Sequence, residues 1–149
     1  MEKDKFNITE AVVRRADAGD QEYINEKLEK YLLDREDPDW RNFYVVKYKD
    51  RTVGFGRIID HGAYLELASI GVDYYFRGKD IGTRLTRFLV KEAKKTAPGK
   101  EVYLVTHIPG YFRRAGFKEI KGPGPEELEY KRHNKCKLDA SRIKIMKLS

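Results

Sequence analysis

The sequence predicts a mixed α/β fold of the α+β kind: a mostly antiparallel, twisted sheet with one local parallel crossover and helices on its flanks. Three observations carry this. Short β-rich runs separated by tight turns fill 43–72. A long amphipathic segment, 81–96, stands between two strand candidates, the arrangement that joins parallel neighbours. And 149 residues with 40% hydrophobic content suffice for one core and not for two, so 1–149 is expected to be a single domain.

Residues 1–10 are a polar lead-in, and 11–15 is a short strand. Asp17 and Asp20 offer N-cap chemistry for a helix over roughly 20–34, with Ile24, Leu28, Tyr31 and Leu32 on one buried face. Strands at 43–49 and 52–59 make a hairpin through Lys49, Asp50 and Arg51, and His61-Gly62 marks the next turn. In the strand at 64–72, alternation puts Tyr64, Glu66, Ala68, Ile70 and Val72 on one face unless a bulge intervenes. The 81–96 helix buries Ile81, Leu85, Phe88, Leu89 and Ala93, and Pro98-Gly99 stops it. A strand at 102–106, a helical segment at 109–115 ending on Gly116, a strand at 117–120, a Gly-Pro-Gly-Pro turn, a short helix at 126–132 and a last strand at 142–148 complete the chain.

Thirty-one basic and 24 acidic residues leave a net charge of +7. The basic residues are spread along the chain and mixed with Glu and Asp, which favours a solvated surface with a local anion site over a nucleic-acid face. The run from Lys131 to Lys137 is the densest and would suit an acidic partner. Cys136 is the single cysteine, so no intramolecular disulfide and no cysteine-based zinc site can form. His61 and His133 are too isolated for a metal site, and Asp139, Ser141 and Cys136 form no nucleophilic constellation. No signal peptide and no spanning segment is apparent, so a cytoplasmic protein away from membranes is expected.

The sharpest segment is Arg77, Gly78, Lys79, Asp80, Ile81, Gly82 and Thr83, between a strand and a helix. Glycines let backbone approach an anion, and the helix N-terminus offers free N–H groups and the positive dipole end. Arg77 and Lys79 add counter-charge. The competing reading is a capped helix start, with Asp80 as N-cap.

Residues 66–85 resemble the central motif of the GCN5-related N-acetyltransferases, in which a strand ending Ile/Val-x-Val precedes Gln/Arg-x-x-Gly-x-Gly/Ala. Here Ile70, Gly71 and Val72 match the strand end, Arg77 the first motif position and Gly82 the last, while Asp80 replaces the central glycine. Residues 102–117 are similar to the family's next strand and its aromatic-x-x-x-Gly-Phe ending. Weaker likeness in 106–117 and 125–128 and at Cys136 and Met146 points toward the amino-acid N-acetyltransferase branch.

The resemblance implies acetyl-CoA as acyl donor, bound by residues 70–72 and 77–83, direct transfer to an amine acceptor (a small molecule or amino acid rather than a protein), and no metal. It implies Glu66 as a base acting through water; the other reading of Glu66 is a sheet residue paired with a lysine. The family's tyrosine acid would fall on Phe112, which cannot donate, and Tyr111 next to it is the candidate acid or a pocket aromatic. His107 is a base, an acceptor contact or a plain loop residue. A homodimer is left open. A non-catalytic CoA- or partner-binding module, and a basic nucleic-acid-binding domain, are the alternatives.

Overall fold

A computed structural model describes residues 6–134 and 140–149. Cys136, Asp139 and the end of the basic run at 131–137 lie outside them. Among the described residues, seven strands form one sheet in the order β1-β2-β3-β4-β5-β7-β6. They are β1 Ala11–Arg15, β2 Phe43–Tyr48, β3 Arg51–Asp60, β4 Tyr64–Val72, β5 Glu101–Thr106, β6 Phe117–Glu119 and β7 Lys144–Leu148. Every pairing is antiparallel except β4 with β5. Helix α2, Ile81–Thr96, makes that crossover. The expected mixed architecture with one parallel step is therefore present.

The core lies mainly between the sheet and α2. Ile81, Leu85, Leu89 and Ala93 are almost fully buried against Tyr44, Val46, Leu65, Leu67, Val102 and Leu104. On the other face α1, Gln21–Lys30, buries Ile24 and Leu28 against Phe43, Val45 and Phe55. Beyond it α3, Pro109–Arg113, follows β5, and α4, Glu126–Asn134, precedes β7.

Two expectations need correction. Helix α1 stops at Lys30, and Leu32 adopts a left-handed φ of 55° and is exposed, so Leu32 does not share the buried face. The acidic pair acts one turn early: Asp17 and Asp20 cap each other around the short 3-10 turn Ala18–Asp20. The second correction is on β4. Ser69 has φ 54°, and the β3–β4 register slips so that Ser69 and Ile70 stand opposite Gly56 alone. This bulge inverts the alternation. Tyr64 packs with Leu128 and Ile145, whereas Ile70 and Val72 join Leu65 and Leu67 on the α2 side. Ile70 and Val72 therefore do not share a face with Glu66.

Pairing between β4 and β5 ends at Leu67 and Leu104, although both strands run on. Beyond that point they have no ladder partner in each other, and the sheet opens there. Tyr23 of α1 donates to Asp73 Oδ1 at 2.6 Å, and the Asp73 amide donates to Val53, which tie the far end of β4 to its neighbours.

Candidate functional site

The opening between β4 and β5 is the wall of a groove of about 690 Å³. Ile70, Gly71 and Val72 line one side, and Arg77, Gly78, Asp80, Ile81, Gly82 and Thr83 its end, facing His107, Ile108 and Tyr111. Nine of the ten residues expected to bind a cofactor thus converge. Lys79 is outside the lining, its Nζ standing 5.7 Å over the Phe6 ring.

Local chemistry explains the shape. Asp80 occupies the N-cap position of α2 with φ 67° and makes no side-chain cap hydrogen bond. The competing reading, in which its carboxylate caps the helix, does not hold: in the left-handed conformation the side chain makes no bond to the first-turn amides. Those N–H groups face the groove without an internal side-chain acceptor, as an anion site requires. Arg77 folds back so that Nε donates to the Val72 carbonyl at 2.9 Å, with its guanidinium 4.8 Å from the Tyr31 ring centroid.

Gly71 is not the hinge of the bulge, since the positive φ belongs to Ser69. A Cβ at Gly71 would lie 2.5 Å from the Phe55 ring, so close packing explains that glycine. Gly82 is also hemmed in: a Cβ there would overlap the Tyr111 hydroxyl. Tyr111 therefore stands at the N-terminus of α2. Phe112, at the position of the family's tyrosine, is buried against Phe117.

Glu66 opens elsewhere, into a second cavity of about 680 Å³ that also takes in Asp34, Arg57, His61, Glu127 and Lys131. Strand β4 and the loop after α1 wall both spaces: Tyr31 and Leu33 face the groove, Asp34, Glu36 and Asp37 the cavity. The two candidate catalytic residues, Glu66 and Tyr111, are thus divided between adjoining pockets.

The Glu66 side chain is 2% exposed; Oε1 meets His61 Nε2 at 2.9 Å and Oε2 accepts from Lys131 Nζ at 2.5 Å. Lys131 also pairs with Asp34 at 3.0 Å. Burial raises the Glu66 pKa, but the His61 hydrogen bond and the Lys131 ammonium outweigh it and hold the carboxyl below its ordinary range. Burial likewise opposes the charge on Lys131, and Glu66 and Asp34 overcome it and hold its pKa above the ordinary lysine value. Arg57, also 2% exposed in its side chain, fastens the loop: it donates to the carbonyls of Asp34, Glu36 and Asp37 and to Ser69 Oγ.

Sequence reading missed Arg57, His61 and Lys131 as one cluster. Arg57 had a signal, a cation flanked by Gly56 and Ile58 inside a β-rich run. Lys131 had a weaker one, falling four residues after Glu127 and so on the same helical face. Among the described residues, no group of three or more His, Cys, Asp or Glu could hold a metal, and no helix is long and apolar enough to cross a membrane.

The family model described as an acetyltransferase (GNAT) domain matches residues 39–119. An uncharacterised N-acetyltransferase of Chlorobaculum tepidum is 35% identical over 85 residues, 54% of this chain and 52% of that protein. The chain thus spans about half the length of that relative. N-acetylglutamate synthase from Neisseria gonorrhoeae, in complex with coenzyme A and N-acetyl-glutamate, has a TM-score of 0.72 at 16% identity, covering 98% of this chain and 35% of that one. A Mycobacterium tuberculosis protein, Rv2747, in complex with CoA, has a TM-score of 0.71 at 23% identity, covering 92% of this chain and 98% of that one. At these identities the two structures speak to the fold.

Proposed function

We infer that this chain, which belongs to the acetyltransferase (GNAT) domain family, transfers an acetyl group from acetyl-CoA directly to an amine. The observation that carries this reading is the groove. The motif residues converge on one concave wall, at a sheet opening and a helix N-terminus, the features a pantetheine arm and a pyrophosphate need. Residues 70–72, 77, 78 and 80–83 would hold the cofactor; Lys79 would act at most through its charge.

The acceptor would enter the second cavity. Six carboxylates line it, from Asp34, Glu36, Asp37, Glu66, Glu126 and Glu127, against Arg57, Lys131 and His61. Both cations are engaged in internal pairs. This favours a small, positively charged amine over an amino acid bearing its own carboxylate. Arg113 and Arg114, which could attract a carboxylate, stand away from the cavity: Arg113 pairs with Glu119 at 3.1 Å, and Arg114 lines the groove.

One test has two arms. Acetyl-CoA should raise the melting temperature, and a panel of primary amines should give acetylated products with release of CoA. Absence of any thermal shift sinks the reading. Stabilisation without release across the panel favours a CoA-binding module that does no chemistry, a second reading supported by the burial of Phe112 where the family has a tyrosine.

A further inference from the structure

Glu66 is poorly placed to pull a proton from a substrate. Both its oxygens are spent on His61 and Lys131, and its side chain is almost wholly buried. His61 is different. Its side chain is 20% exposed and lines the cavity. The ring is stacked on Tyr64, with centroids 4.6 Å apart and planes at 21°, and its own amide donates to the Tyr64 carbonyl at 2.9 Å. An ionised carboxylate can only accept, so the ring nitrogen facing Glu66 carries the hydrogen. The other nitrogen, Nδ1, has no hydrogen-bond partner among the described residues, and in the neutral ring it holds the lone pair.

We propose that His61 is the general base for the amine and that Glu66 is its positioning residue, fixing the Nε2–H tautomer and balancing the imidazolium that forms. This rests on the acyltransferase reading. The ammonium form of the acceptor gives one proton to Nδ1, which later passes it to solvent. The freed nitrogen lone pair forms a C–N bond to the thioester carbon. The C–S bond breaks, sulfur leaving with its electron pair, and the second N–H proton ends on that sulfur as CoA thiol. The charged groups around His61 come from every side: Glu66 and the Tyr64 hydroxyl from β4, Glu127 and Lys131 from α4, Asp60 from β3 and Asp34 from the loop. Tyr64 donates to Glu127 at 3.0 Å, Asp60 pairs with Lys100 at 3.1 Å, and Asp34 pairs with Lys131. His61 is the group in the cavity whose ring nitrogen has no protein partner among the described residues, amid charges that are already paired.

The test reads tautomer and rate separately. Imidazole nitrogen NMR on isotope-labelled protein should show His61 as Nε2–H, with that preference lost in Glu66→Gln; an Nδ1–H tautomer, or no change in the variant, overturns the positioning role. With whichever amine of the panel is acetylated fastest, His61→Asn should lower kcat/KM by about 10²–10³-fold, keep the acetyl-CoA Kd, and change the pH–rate profile relative to wild type. An unchanged pH profile in His61→Asn overturns the base role alone. Failure of acetyl-CoA binding, or of any amine to be acetylated, overturns the acyltransferase reading and the base role with it, whatever the tautomer.

Discussion

The hydroxyl of Tyr111 occupies the space directly above Gly82, where a Cβ would have to stand. The contact joins α3 to the first turn of α2. Only the tip of a tyrosine is in the way, so Gly82→Ala should cost little stability, with Tyr111 swinging aside into the groove. Acetyl-CoA affinity should fall by about tenfold, near 1.4 kcal/mol. In a Tyr111→Phe background the loss should shrink, because the nearest remaining ring atom is 3.2 Å from that Cβ. Calorimetric titration of the four proteins measures the coupling; equal losses in both backgrounds would refute it.

Arg57 ties the loop at 34–37 to the bulge. Removing it leaves three carbonyls and Ser69 Oγ short of a donor in a largely buried place. Arg57→Met should destabilise the fold by about 3 kcal/mol and raise the amine KM, since the loop walls the cavity proposed for the acceptor. Arg57→Lys should recover only part, because an ammonium cannot span a fork of that width. Acetyl-CoA affinity should stay within about twofold, below 0.5 kcal/mol. Denaturant melts and the two binding constants check this, and a matching loss of acetyl-CoA affinity counts against separate pockets.

The Asp34–Lys131–Glu66 cluster sets a pH signature. The folded-state values of Glu66 and Asp34 are depressed, so their contribution is present above the ordinary 4.5 and 3.8 and is lost as pH falls through the folded values. Lys131 is raised, so its contribution is present below 10.5 and is lost as pH rises through the folded value. Stability from the cluster should be flat between those limits and fall outside them. Lys131→Met should cost about 3 kcal/mol at neutral pH, by stranding the buried carboxylates. Adding Glu66→Gln should return part of that. Urea midpoints against pH measure it, and a single-variant acid limb as steep as wild type would refute it.

The residues that decide the fold were legible where one local rule governed them. The bounds of α2 follow from its apolar stripe and from Pro98-Gly99, and its place between two strands predicts the parallel step. Leu32 failed because its spacing is helical while its backbone has already turned left-handed. Ile70 and Val72 failed in facing because a bulge depends on what Ser69 can bond: Arg57 Nε and the Asp34 carbonyl. Glu66 could be placed on its strand by alternation. Its lysine partner is 65 residues away, and no local pattern pairs them. The groove was readable because its motif is contiguous; the second cavity was not, because five separate segments build it.

Asp80 stands where the family pattern has glycine, and its φ of 67° gives the reason. The position demands left-handed backbone, which glycine takes freely and aspartate tolerates better than most side chains. Shape is therefore kept, and what aspartate adds is a negative charge lining the groove at a helix N-terminus. Three variants separate the effects. Asp80→Asn keeps the tolerated conformation and removes the charge, so acetyl-CoA should bind several-fold tighter with melting temperature nearly constant. Asp80→Gly should bind equally tightly and gain up to about 1 kcal/mol from relief of the left-handed strain. Asp80→Ala removes the same charge but resists the backbone, so it should lose about 1 kcal/mol of stability, with a smaller gain in affinity. Melting curves and acetyl-CoA titrations at low and high salt measure both quantities. Salt should weaken the gains, because the repulsion being removed is screened. Asparagine binding no tighter than wild type at low salt would show that the Asp80 carboxylate does not meet the phosphates.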